Sequence, residues 1–155
     1  LHHSQKSVNA LVLNKKGNLV SGSSDNTINV WNLETGDLLK TLTGHTDSVF
    51  ALVVSTNGDL ISGSADETIK VWNIETGELI RTLIGHYDWI TALAVSEMGE
   101  IASGSINGII AVWNLKNGKL IRKFEAHGDI SSLVFNRKGG LASAYDDGSI
   151  EVWKV

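Results

Sequence analysis

The stretch SGSSDNTINVWN at residues 21–32 returns as SGSADETIKVWN at residues 62–73. The two copies differ at three positions, which Ala65, Glu67 and Lys70 occupy in the second copy. The tryptophan of this phrase recurs at intervals of 41, 41 and 40 residues, at Trp31, Trp72, Trp113 and Trp153. A sequence that repeats at a fixed period of this length uses one supersecondary unit several times. The chain is therefore a repeat array.

The apolar residues within each repeat alternate with polar ones, and turn residues bound every short apolar run. This period of two predicts β-strands throughout. In the second repeat we predict strand a at 49–54, strand b at 60–64, strand c at 68–73 and strand d at 78–84. Glycine supplies the positive φ that tight turns need, and no proline interrupts a strand. Four short antiparallel strands per repeat predict the blade of a β-propeller, so the predicted fold class is all-β.

Composition narrows the classes of function. The 155 residues include 42% hydrophobic residues, which is enough for a buried core. The formal net charge is −4, and the 13 lysines and arginines are spread through the repeats, so we expect no nucleic-acid partner. The absence of cysteine excludes disulfides, thiolate nucleophiles and cysteine-based zinc sites.

The sequence shows no membrane or secretory signal. No apolar run approaches the roughly 20 residues that span a bilayer, and the start does not resemble a signal peptide. We therefore expect no membrane partner and an intracellular location, cytoplasmic or nuclear. Because the chain opens Leu1-His2-His3 without methionine, we expect that its native beginning is missing.

Polar residues recur at fixed distances from each tryptophan. Six residues before it stand Asp25, Asp66, Asn107 and Asp147. Ten residues before it stand Ser21, Ser62, Ser103 and Ser143. A histidine precedes each predicted strand a, at His45, His86 and His127, with His2 or His3 available to the first repeat.

This pattern resembles the WD40 (WD-repeat) propeller family, whose units carry a Gly-His pair before strand a and a Trp-Asp pair at the end of strand c. Gly44-His45 and Gly85-His86 match the first pair. The resemblance covers one propeller region, residues 1–155, in repeats at about 3–43, 44–84, 85–125 and 126–155. The last repeat lacks strand d. Departures are the Asn or Lys that follows each tryptophan, and Asn107 in place of the turn aspartate.

The resemblance implies a role for the recurring polar residues. In the family, the His, Ser, Asp and Trp of a unit form a buried hydrogen-bonded chain, which predicts this role for His45, Ser62, Asp66 and Trp72. Ser, His and Asp also suggest a nucleophilic triad, but hydrolysis needs an exposed nucleophile and an oxyanion hole. A set that recurs in every unit is typical of a structural device. Because Asn107 lacks a charge, we expect the third unit to be the least tightly held.

No other residues suggest chemistry. No histidine pair has metal-ligand spacing, and no glycine-rich loop precedes a helix that could hold phosphate. We predict no catalytic residues, no metal and no cofactor.

The resemblance also implies which residues ring the central channel at one face. They are Ser24, Ala65, Ile106 and Asp146 before or at the turn, and Asn9, Phe50, Thr91 and Ser131 early in strand a. None is basic, which argues against phosphopeptide recognition. Beside them, Tyr87 and Trp89 break the repeat pattern, and exposed Tyr and Trp are common interface anchors. We predict a protein-binding site at Tyr87, Trp89, Phe50, Ile106, Asn9, Thr91, Ser131 and Asp146; the alternative is that Trp89 fills a gap between blades.

Four repeats leave three architectures open. They form part of a larger ring, or two copies form an eight-bladed ring through the open strand-c edge of the last repeat, or four blades close by themselves. The predicted function is a non-catalytic scaffold or adaptor that binds proteins or peptides, including a second copy of itself. The alternative is a regulatory sensor region of a larger signalling protein or enzyme. A carbohydrate-binding propeller would need aromatic platforms in every repeat, and only the third has one.

Overall fold

The computed structural model describes residues 1–155, and all of its regular structure is β. The first sheet contains β1 (Val8–Leu13), β2 (Leu19–Ser23), β3 (Ile28–Trp31) and β4 (Leu38–Leu42). The second contains β5 (Val49–Val54), β6 (Leu60–Ser64), β7 (Thr68–Trp72) and β8 (Leu79–Ile84). The third contains β9 (Ile90–Val95), β10 (Glu100–Ser105), β11 (Ile109–Asn114) and β12 (Leu120–Glu125). The fourth contains β13 (Ile130–Phe135), β14 (Leu141–Tyr145) and β15 (Ile150–Trp153).

Each sheet is an antiparallel meander with its strands in chain order, as the alternating pattern predicted. Predicted strands a and b of the second repeat have the bounds of β5 and β6, while β7 ends at Trp72 and β8 begins at Leu79, one residue inside the prediction. The fourth sheet has three strands, with β15 at its open edge. The all-β propeller-blade prediction is confirmed. The fold contains no helix of the length and apolarity needed to cross a membrane.

A β-bulge lies near the start of the first strand of every sheet. In β1 the pairing with β2 skips Asn9, and in β5 the pairing with β6 skips Phe50. The same irregularity skips Thr91 in β9 and Ser131 in β13. A bulge leaves one residue out of the ladder and turns its side chain away from the regular alternation. The bulged position is therefore available for contacts beyond its own sheet.

The core lies between neighbouring sheets. Val49 and Leu52 of the second sheet pack on Val20 and Ile28 of the first, and all four are buried. Equivalent clusters join the second sheet to the third and the third to the fourth. The strands that begin the sheets, β1, β5, β9 and β13, lie next to one another in this order. The outer faces of the first and fourth sheets are exposed, so the four sheets form an open row rather than a closed disc.

Candidate functional site

A buried chain of hydrogen bonds ties the second sheet together. Trp72 Nε1–H at the end of β7 donates to Ser62 Oγ in β6 over 2.8 Å. Ser62 Oγ lies 2.7 Å from His45 Nε2, and His45 Nδ1 lies 2.7 Å from Asp66 Oδ2. His45, Ser62 and Trp72 are all buried. The loop before β5 is thereby fixed to β6 and β7.

The order of donors and acceptors in this chain assigns its protons. Ser62 Oγ accepts from Trp72 and donates to His45 Nε2, which leaves the imidazole proton on Nδ1, facing Asp66. Burial disfavours ionisation of Asp66, but hydrogen bonds from His45 and Thr68 outweigh it and hold the pKa of the Asp66 carboxyl well below its usual value. The network therefore ends on an ionised aspartate.

The first sheet builds the same chain with His3, which decides between His2 and His3. His3 Nε2 lies 2.5 Å from Ser21 Oγ, which also accepts from Trp31 Nε1–H at 2.8 Å. The contact between His3 Nδ1 and Asp25 Oδ2 is longer, at 3.2 Å. His3 is only 4% exposed, so the segment before β1 is anchored on the sheet.

The third sheet keeps the histidine, serine and tryptophan of the chain but not its acceptor. His86 Nε2 lies 2.7 Å from Ser103 Oγ, and Trp113 Nε1–H donates to the same oxygen at 2.9 Å. Asn107 accepts from Ser105 Oγ instead of turning to His86. His86 Nδ1 is buried without a hydrogen-bond partner. A buried unpaired donor of this kind costs about 1–3 kcal/mol.

Burial and a nearby positive charge set the protonation of His86. Burial disfavours the charged imidazolium, and the positive charge of Lys123 adds to this effect. Together they lower the pKa of His86 to about 4. His86 is therefore neutral at any pH near 7.

The fourth sheet departs from the predicted set. Trp153 Nε1–H still donates to Ser143 Oγ at 2.8 Å, but Ser143 donates to the hydroxyl of Tyr145 at 2.8 Å rather than to His127. The hydroxyl of the buried Tyr145 thus takes the place of the histidine nitrogen as the partner of the serine. The His127 ring lies against the Tyr145 ring, with centroids 4.1 Å apart.

His127, Ser143, Asp147 and Trp153 recur in the sequence but do not form the hydrogen-bonded chain of the second sheet. The His127 side chain is 42% exposed, and it contacts Asp147 and Glu151 at the surface. The fourth unit, rather than the third, departs most from the pattern. The signal was present in the sequence, because Tyr145 stands where the other repeats have Ser23, Ser64 and Ser105.

The geometry of Ser62, His45 and Asp66 is that of a hydrolytic triad, but Ser62 cannot reach a substrate. Its side chain has no exposed surface, and its Oγ already accepts the Trp72 hydrogen bond. A nucleophile needs an open approach and an oxyanion hole beside it. No three His, Asp or Glu side chains have the geometry of a metal site.

The predicted aromatic residues lie together at one end of the sheets. The Trp89 ring packs on the Phe50 ring of the neighbouring sheet, with centroids 5.6 Å apart. Trp89 nevertheless remains 47% exposed, and Tyr87 is 81% exposed. The backbone of Ile106 donates to the Trp89 carbonyl at 3.1 Å, which fixes the loop to the turn after β10. Lys123 Nζ stands 5.3 Å from the centre of the Tyr87 ring.

The other predicted site residues divide into two groups. Asn9 Nδ2 donates to the Val49 carbonyl at 3.1 Å, and Thr91 Oγ1 donates to the Ile130 carbonyl, so both bridge neighbouring sheets. Ser131, at the bulge of β13, and Asp146, just after β14, are exposed. Phe50 occupies the bulge position that Asn9 and Thr91 occupy elsewhere, so its contact with Trp89 replaces a polar bridge.

Charge separates the two ends of the sheets, a feature that the composition did not reveal. The end with the aromatic residues consists of residues 1–7 and the loops β2–β3, β4–β5, β6–β7, β8–β9, β10–β11, β12–β13 and β14–β15. Its loops contain one lysine, Lys6, and the ammonium of Lys123 also reaches this end from β12, 2.6 Å from the Gly85 carbonyl oxygen. The carboxylates there are Asp25, Asp47, Asp66, Glu67, Asp88, Asp129, Asp146 and Asp147. The opposite end carries acidic and basic residues in nearly equal number. We call the first of these the acidic end. Summing the charges of alternate loops in the sequence would have predicted it.

Known proteins share this architecture. The family model described as WD40, "WD domain, G-beta repeat", matches residues 1–32, 36–73, 77–114 and 118–154. The structure of U3-55K superposes on the whole chain with a TM-score of 0.93 and 25% identity, and that of the RRP9 WD40 repeats with 0.93 and 25%. The computationally designed Ika4 protein superposes with 0.89 and 38% identity.

The lengths of these relatives differ. The chain spans 51% of U3-55K and 50% of the RRP9 chain, but 95% of Ika4. No curated protein matches the sequence. Four matches to the family model cover nearly all of the chain, and a histidine, a serine and a tryptophan are joined by hydrogen bonds in each of the first three sheets. The chain belongs to the WD40 family of repeat proteins.

Proposed function

We propose that the chain is a non-catalytic scaffold that binds a protein partner at its acidic end. WD40 repeats are generally protein-interaction modules. The buried serine and histidine networks supply no accessible nucleophile, which supports a binding role over a catalytic one. Tyr87 and Trp89 are the exposed aromatic residues of the acidic end, and neither belongs to the repeat pattern.

The exposure of Trp89 is the observation that carries this proposal. Its ring is steadied by Phe50 and its backbone by Ile106, yet about half of its surface faces solvent. A rigid, half-exposed indole loses little entropy on binding and offers a large contact area. Tyr87, two residues earlier and almost fully exposed, extends the same surface. The aromatic site is defined by Phe50, Tyr87 and Trp89.

The charge of the acidic end specifies the chemistry of the partner. Asp88 lies between Tyr87 and Trp89, and Asp47 and Glu67 lie in loops of the neighbouring sheet. Carboxylates around an apolar anchor favour partners with lysine or arginine beside their own apolar residue, and they accelerate association. The partner is therefore a peptide segment with a large apolar side chain flanked by basic residues.

Selection from a randomised peptide library on the immobilised chain tests this function. We expect enriched peptides that combine Leu, Phe or Trp with Lys or Arg, and an affinity that falls as salt rises. Tyr87→Ala with Trp89→Ala removes the anchor, and we expect at least a tenfold loss of affinity, equivalent to about 1.4 kcal/mol or more.

Met98→Ala is the matched control, because Met98 is 82% exposed at the opposite end of the sheets. It should bind the selected peptides like the unmodified chain. Equal binding by the double variant, with an unchanged thermal melt, would refute the aromatic site. Enrichment of acidic peptides would refute the role of the acidic end.

A further inference from the structure

Two apolar faces of the molecule are uncovered, one at each end of the row of sheets. On the first sheet the exposed side chains are Val8 at 49%, Leu11 at 62% and Leu13 at 52%. On the fourth sheet they are Val134 at 61%, Ile150 at 72% and Val152 at 81%. Contiguous apolar faces of this kind mark interaction surfaces in soluble proteins.

The repeat shows what belongs on each face. Leu52 is the equivalent of Leu11; it packs on the first sheet and is 8% exposed. Val71 is the equivalent of Val152; it packs on the third sheet and is 2% exposed. Between every two neighbouring sheets, the face that carries the equivalent of Val152 therefore packs on the face that carries the equivalent of Leu11. The two uncovered faces are the two halves of one such interface.

We propose that a second copy of this chain covers both faces. The first sheet of each copy packs on the fourth sheet of the other, in the way that consecutive sheets pack within one chain. A two-fold axis makes the two contacts equivalent and closes the row into a ring. The lengths agree with this: one copy superposes on half of U3-55K with a TM-score of 0.93, so two copies match its length.

One position makes the closing contact differ from the internal ones. A Cβ on Gly22 would lie 2.7 Å from Val49 Cγ1, and one on Gly63 would lie 2.7 Å from Ile90 Cγ2. The fourth sheet has Ala144 at this position, facing Val8 of the second copy. The closing contact is therefore wider than the internal ones. Ala144→Gly should tighten the dimer and lower its Kd several-fold.

Light scattering on the 155-residue chain at about 50 μM tests the dimer. We expect twice the 16.7 kDa mass of one copy. Leu11→Asp and Val152→Asp should each give a monomer with an unchanged far-UV spectrum. An equimolar mixture of the two variants should regain a dimer. In the mixed dimer, the unchanged Val152 face of one copy packs on the unchanged Leu11 face of the other, so one of the two contacts has no added charge. A dimer formed between two first sheets would resist Val152→Asp and overturn the head-to-tail arrangement.

Cross-linking gives a readout that does not depend on the charged variants. The chain has no cysteine, so Val8→Cys with Ala144→Cys introduces one thiol on each face. Oxidation should give a covalent dimer on a non-reducing gel, whereas either single variant should stay monomeric. Three results would overturn the proposal: a chain without substitutions that is monomeric, a ladder of larger cross-linked species, or cross-linking of a single variant. The two faces would then be covered by sheets other than those of a second copy.

Discussion

At the scale of single residues, the hydrogen-bonded chain from tryptophan to aspartate decides how firmly each loop is held. In the second sheet the His45 proton has an acceptor in Asp66, whereas the proton of His86 in the third sheet has none. The same fold therefore contains a satisfied and an unsatisfied version of one network. Substitutions in these two networks should differ in sign.

Removing the acceptor from the satisfied network should destabilise the protein. Asp66→Ala leaves His45 and the Thr46 and Thr68 amides without their partner. We expect the free energy of unfolding in urea to fall by about 1–3 kcal/mol. Asp129→Ala, at an exposed aspartate of the same end, should change it by less than about 0.5 kcal/mol. Equal effects of the two substitutions would contradict the network.

Supplying the acceptor to the unsatisfied network should stabilise the protein. Asn107→Asp places a carboxylate where Asp66 stands in the second sheet, within reach of His86 Nδ1. We expect a gain of about 1 kcal/mol in the free energy of unfolding at pH 7. Asn117→Asp, in an exposed turn at the opposite end, controls for the added charge. A gain no larger than that of Asn117→Asp would show that a hydrogen-bond acceptor for His86 Nδ1 does not raise the free energy of unfolding.

The lowered pKa of His86 predicts a pH dependence. The folded protein keeps His86 neutral down to about pH 4, whereas the unfolded chain protonates it below about pH 6.5, so unfolding takes up a proton between these values. Stability should therefore fall from pH 7 to pH 4, by on the order of 2 kcal/mol from this group. Asn107→Asp favours the imidazolium and should reduce the loss. Urea titrations at pH 7 and pH 5 measure this, and an equal loss in both proteins would contradict the assignment.

At the scale of strands and sheets, the sequence predicted most of the structure. Strands β5 and β6 have their predicted bounds because alternation and glycine turns act locally. The fourth network was missed because its serine has two competing partners, and the Tyr145 hydroxyl reaches Ser143 from the same strand. The contact of Trp89 with Phe50 of the neighbouring sheet is of the kind that the gap-filling alternative described, but the sequence did not identify Phe50 as its partner, since this depends on how two sheets meet.

Close approach of neighbouring sheets gives a prediction at this scale. Gly63 in β6 lies against Ile90, where a Cβ would stand 2.7 Å from Cγ2. Gly63→Ala should therefore force the second and third sheets apart and cost about 1–3 kcal/mol. Gly128→Ala is the control, because its nearest neighbour would be Tyr145 Cδ1 at 4.0 Å and its φ is not positive. That change should be neutral or stabilising by up to about 1 kcal/mol. Similar costs would contradict the close packing.

At the scale of the whole molecule, two properties arise only when all the repeats are considered together. Negative charges collect at the acidic end of the strands because alternate loops carry aspartate, although the net charge is only −4. Apolar faces stay open at both ends of the row because each sheet is covered only by its neighbours. Neither property could be predicted from a single repeat, in which Leu11 and Leu52 are identical residues at equivalent positions. Their difference in exposure is a property of the assembly.

This difference predicts how stability depends on protein concentration. Leu93 and Leu11 are equivalent residues, but Leu93 is 7% exposed between sheets and Leu11 is 62% exposed on the open face. Leu93→Ala leaves a cavity and should cost about 2–5 kcal/mol at any concentration. Leu11→Ala should cost little at concentrations well below the Kd of the dimer, where the monomer dominates, and progressively more above that Kd, because it weakens the contact with the second copy. Light scattering of diluted samples gives the Kd, and urea unfolding at concentrations below and above it measures both costs. A Leu11→Ala effect that is the same on both sides of the Kd would contradict the head-to-tail dimer while leaving the internal packing of Leu93 intact.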